Sequence, residues 1–194
     1  FDLFSRLNTG AISLTPQEVR TAVYGGRFIS FIEELSTNKD LRSLLKLQKA
    51  NQHDGTTAEQ VLKYFAYKNN ASAFRGPVAE FLNKYTEGVE NQAPGFDFSY
   101  STEMRVFAQT MKFLASTTGG AFLRSSTHIT PLVQFEAVAV ALGTLFQEGI
   151  SPVEPPANWI EDKELVSASS SGSNTPAKLR RRIERAKELF SGRA

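Results

Sequence analysis

Apolar residues in this chain recur three and four positions apart between recognisable start and stop signals, and no segment alternates with the period of two that a half-buried strand requires. That pattern points to an all-α chain, an irregular bundle of about eight helices with no significant sheet. Thr15, Pro16 and Glu18 form a capping box with proline at the first helical position, predicting a helix over 16–24 that Gly25 and Gly26 end or kink. Phe28, Phe31, Ile32 and Leu35 then make one helical stripe. Asn38 is placed to cap a short helix carrying Leu41, Leu44, Leu45 and Leu47. Thr56 and Glu59 repeat the capping-box spacing and predict a helix over 57–68.

Val78, Phe81, Leu82 and Tyr85 mark the next helix, and residues 88–97, rich in turn formers, read as a linker. The predicted organisation is therefore a helical segment over 1–90 and a second over 96–194, packed together as one domain. In the second, Met104, Phe107, Met111 and Leu114 support a long helix stopped by Gly119 and Gly120. Thr130 and Pro131 start another whose apolar face includes Leu132, Phe135, Val138, Leu142, Leu145 and Phe146. A short helix over Trp159, Ile160 and Leu165 follows, then the low-complexity stretch 167–173, read as flexible. A last helix after Thr175 and Pro176 is expected to bury Leu179, Ile183, Ala186 and Phe190.

With 194 residues, 41% of them hydrophobic and 15 of them Phe, the chain can bury a core without staples. Zero Cys excludes disulfides, thiolate metal sites and a cysteine nucleophile. The longest apolar run, 135–146, is too short to span a bilayer and contains Glu136, so the expectation is a cytoplasmic protein with no membrane partner.

Two stretches carry a family likeness. Phe4, Arg6, Leu7, Asn8, Thr9 and Gly10, followed by Leu14, Glu18 and Arg20, resemble the Phe-x-Arg-Leu-Asn-Thr-Gly…Leu-x-x-x-Glu-x-Arg signature of GmrSD-like proteins, bacterial restriction and phage-defence proteins. Further on, EQVLKYFAY and FRGPVAEFLNKY resemble the Glu-x-Val-Leu-Arg-Phe-x-Ala and Gly…Phe-Leu-Asn-x-Tyr patterns of the same family, with Lys63 where many relatives have Arg. The likeness covers residues 1–87 well and 96–194 only in helix order and the closing basic element.

In that family an Asp-Gly-Gln-Gln-Arg motif in a ParB-like N-terminal half handles the nucleotide. The motif does not occur here, and with no initiator Met the expectation is the helical C-terminal portion of a longer protein. The resemblance then implies NTP hydrolysis, with Mg, or nuclease action for full-length relatives, and neither for this portion alone. It implies that Arg6, Asn8, Thr9, Gly10, Glu18 and Arg20 hold a nucleotide or order the interface with the ParB-like half. The bland readings stand beside it: Asn8 and Gly10 supply a turn, and Glu18 only caps a helix. Ala11 replaces a second Gly of many relatives, and its Cβ crowds any phosphate approaching that backbone.

Charge is unevenly placed: residues 176–194 hold seven of the 22 Lys and Arg and two of the 20 acids. Lys178, Arg180, Arg181, Arg182 and Arg185, at the start of a helix behind a hydroxyl-rich loop, are the candidate contacts to DNA, RNA or a nucleotide. The rival is a protein-protein interaction scaffold without nucleic-acid contact. The apolar stretch around Phe1, Leu3, Phe4 and Leu7 favours self-association if the upstream half is absent. Catalysis finds little: His53 sits in a polar loop, Ser126 and His128 have no orienting acid, and no metal cluster or HNH motif is visible, so no catalytic or metal residues are assigned.

Overall fold

Local signals and long-range contacts divide the work of placing each helix. The computed structural model describes residues 14–51, 54–170 and 172–192, which carry nine α-helices and no strand. They are α1 (Pro16–Tyr24), α2 (Arg27–Ser36), α3 (Lys39–Leu44), α4 (Thr56–Asn70), α5 (Val78–Glu90), α6 (Tyr100–Thr118), α7 (Leu132–Gln147), α8 (Lys163–Ala168) and α9 (Pro176–Ser191). Single 3₁₀ turns lie at Lys49–Asn51, Ala71–Ala73 and Trp159–Glu161.

At the centre is α7, buried from Gln134 to Gly143 and again at Leu145, with α4, α6 and α9 packed around it. A helix buried on all sides needs apolar residues all round, not a stripe, and α7 has them. Small side chains set the spacing. Gly143 lies against the Tyr64 ring, which a Cβ there would strike.

Aromatic rings join the remaining layers. Phe98 contacts Phe28, Phe31 and Phe65 edge-on, with centroids 5.0 to 5.7 Å apart. Edge-to-face geometry suits the ring quadrupole. At the other end Trp159 bridges Phe122 and Phe190 in the same manner.

Several expectations change in three dimensions. The segment 88–97 is no loose linker: α5 continues to Glu90, and Phe96 folds back onto Gly88 so closely that a Cβ would lie 2.6 Å from its ring. Phe96, Phe98 and Tyr100 then join one core cluster that contains residues from both sides of the segment. The expected cap Thr56 is the first residue of α4 instead. Gly55 precedes it at φ 79°, and the Asp54 carboxylate accepts from the Thr56 N–H at 3.0 Å.

Thr130 does not cap α7 either; its hydroxyl donates to the Leu44 carbonyl and accepts from the Lys46 N–H. That link holds 45–46 extended, which is why α3 stops before the expected Leu47. The short helix near Trp159 splits into a 3₁₀ turn and α8, with Asp162 capping the latter through the Leu165 N–H. In the stretch read as flexible, α8 extends to Ala168, and Ser173 is buried with its carbonyl bonded to Arg182.

Candidate functional site

The capping box at the start of α1 forms as the sequence dictates. The Thr15 N–H donates to Glu18 Oε2 at 2.7 Å, and the Glu18 N–H donates to Thr15 Oγ1 at 3.3 Å. Thr15 Oγ1 also lies 2.8 Å from the Asp54 carbonyl, tying the head of α1 to the head of α4. Glu18 is thus occupied as a cap.

One turn on, Arg20 points into the protein and is 1% exposed. Its Nε donates to Asn83 Oδ1 on α5 at 2.8 Å, and its Nη1 donates to Gln17 Oε1 at 2.9 Å and Glu59 Oε2 on α4 at 3.2 Å. Glu59 Oε1 lies 3.1 Å from Lys63 Nζ, and Lys63 reaches Glu136 of α7 at the same distance. The result is a chain of charge, Arg20 to Glu59 to Lys63 to Glu136, that crosses three helices.

Electrostatics favours the charged form of its two inner members, Lys63 and Glu59. Burial alone would lower the Lys63 pKa, but Glu136 and Glu59 outweigh it and hold the ammonium well above its ordinary value. Burial likewise pushes Glu59 up, and Lys63 and Arg20 override that to leave its carboxyl below the usual range.

Arg6, Asn8, Thr9 and Gly10, with His53, lie outside the described residues. Glu18 and Arg20 are neighbours on α1 with separate duties, one capping and one bridging. Gln17, Asn83 and Glu136 were not singled out for this role. Asn83 had a signal in the FLNKY stretch, and Glu136 had one as the sole charge within α7. A lone acid in the buried stretch of a helix requires a cationic partner.

The basic helix α9 is capped as expected, Thr175 accepting from the Lys178 N–H at 3.3 Å with Pro176 in the first turn. Its cations, however, do not form one face. Arg182 is 1% exposed, donates from Nη1 to the Ser173 carbonyl at 2.6 Å, and is drawn below its usual pKa by burial despite Glu136 nearby. Arg185 forks onto Asp162 at 2.8 and 3.1 Å and also meets Glu188 at 2.9 Å. Arg181 pairs with Glu164. Lys178 is half-buried, and Arg180 stands exposed with no ion pair among the described residues. Sequence periodicity could not separate these, because Glu164, Ser173 and Asp162, which meet Arg181, Arg182 and Arg185, lie outside α9.

Ser126 and His128 are both exposed and share no hydrogen bond, and no cluster of three or more His, Asp or Glu able to hold a metal occurs among the described residues. Among those residues no helix is long and apolar enough to cross a membrane. No protein-family model, curated protein or solved structure matches the chain.

Proposed function

We propose that the chain is a helical supporting module of a GmrSD-like bacterial restriction or phage-defence protein, bracing a nucleotide-handling ParB-like half and supplying binding and coupling, not hydrolysis. The observation that carries this reading is where the two family-like stretches meet. Arg20 from the first and Glu59, Lys63 and Asn83 from the second share one hydrogen-bonded network, though Arg20 and Asn83 are 63 positions apart. Such a network costs desolvation energy that an all-apolar contact would avoid, so it speaks for fixed geometry at this corner more than for stability. Arg20 follows residues 6–10 in sequence, the segment that in this reading faces the nucleotide.

The test separates the module from an enzyme. Purified chain incubated with ATP, GTP or CTP and Mg should release no phosphate above the buffer rate, and the coding sequence ahead of Phe1 should carry Asp-Gly-Gln-Gln-Arg. Turnover by the chain alone, or an unrelated upstream sequence, refutes the proposal.

A second reading, the interaction scaffold, is favoured by one observation: Arg181, Arg182 and Arg185 already have partners within the protein. On that reading the chain fails to bind DNA even at low ionic strength, and a protein partner takes the place of nucleic acid.

A further inference from the structure

Where the 3₁₀ turn Ala71–Ala73 runs past the first half of α9 there is a cleft of about 360 Å³. Phe74, Leu179 and Ile183 supply its apolar floor, and each side contributes one arginine, Arg75 from just after the turn and Arg180 from α9. Neither arginine has an ion pair among the described residues. The Nη1 of Arg75 donates to the Ser72 and Phe74 carbonyls, which orients the guanidinium without neutralising it. By contrast, Arg181, Arg185 and Lys187 elsewhere on α9 are each matched to a carboxylate. Glu184 lies at the cleft as its single acid.

We propose that this cleft is a docking site for an acidic amphipathic segment of a partner protein, whose carboxylates are taken by Arg75 and Arg180 while an apolar side chain enters over Leu179 and Ile183. The charge decides the occupant's sign, because two unpaired guanidiniums beside an apolar floor match carboxylates carried on an apolar stem. The floor decides its class. Phe74 is 1% exposed and offers no open ring face for a base to stack on. Half-buried Ile183 and the arginine stems give an aliphatic side chain something to cover. The assignment stands apart from the nucleotide reading, because it uses neither the Arg20 network nor residues 6–10.

Fluorescence anisotropy with the whole chain tests it, using two labelled helical peptides that share a leucine at every fourth position and differ only in flanking Glu or Gln. A third probe is labelled oligothymidylate. The Glu peptide should bind at least about tenfold tighter than the Gln peptide at low ionic strength. The double variant Arg75→Glu, Arg180→Glu should lose that advantage with its circular dichroism unchanged, both side chains being on the surface. Ile183→Ser should weaken both peptides while keeping the preference for Glu, and Glu184→Gln should tighten the Glu peptide. Equal affinity for the two peptides overturns the proposal. So does an unchanged affinity in the double variant, or oligothymidylate binding that depends on the same two arginines.

Discussion

Arg20 is the side chain on which most hangs at the level of single residues. It is buried, and its three hydrogen bonds join α1, α4 and α5. Truncating it strands the Asn83 amide and leaves Glu59 with Lys63 alone, so Arg20→Ala should cost about 3 kcal/mol, the low end for a broken buried pair because Glu59 keeps some solvent. Urea unfolding measures this, and a loss under about 1 kcal/mol would mean that the network contributes little. Glu59 makes the site acid-sensitive. Its folded pKa is lowered, so the stability it contributes is present above its unfolded pKa, near 4.3, and is lost as pH falls through the folded value. The neutral variant Glu59→Gln should therefore be less stable at pH 7 and show a flatter loss on acidification. Matching acid limbs in the two proteins would assign the acid sensitivity elsewhere. Lys63, raised, has the opposite sign and is lost only in strong base.

At the level of elements, helix starts were legible wherever the capping group is local. Thr15, Asn38 and Thr175 each accept from a backbone N–H three residues on, an arrangement the sequence spacing contains in full. Thr56 and Thr130 carry the same spacing and do otherwise, because Asp54 and the 44–46 segment compete for them. The stretch 88–97 misled for a related reason. Gly88 reads as a helix breaker, yet in α5 it is the residue that lets the Phe96 ring lie flat on the helix. Gly88→Ala gains intrinsic helix propensity and still should destabilise by about 1 to 3 kcal/mol, since the new methyl displaces a core ring. A rise in the thermal midpoint would show that Phe96 does not need that contact.

At the level of the whole molecule, a basic C-terminal tail in the sequence becomes a helix whose charges are largely spent on neighbours. That difference is measurable in nucleic-acid binding. If all five of Lys178, Arg180, Arg181, Arg182 and Arg185 met phosphates, raising salt from about 50 to 200 mM would weaken duplex binding by roughly 500-fold, whereas Arg180 alone gives roughly three- to fourfold. We expect the shallow dependence or no binding, read by anisotropy across that range; a steep one would require the ion pairs of Arg181 and Arg185 to open. What the sequence by itself determined is the all-α class, the helix order and most helix starts, because apolar periodicity and local capping act within a few residues. Tertiary structure alone decided that residues 88–97 are packed, that Arg182 faces inward, and that Glu59 joins Arg20 and Lys63 instead of capping. Each of those outcomes turns on a contact with a different element, and a charge or glycine takes its meaning from the partner that folding brings to it.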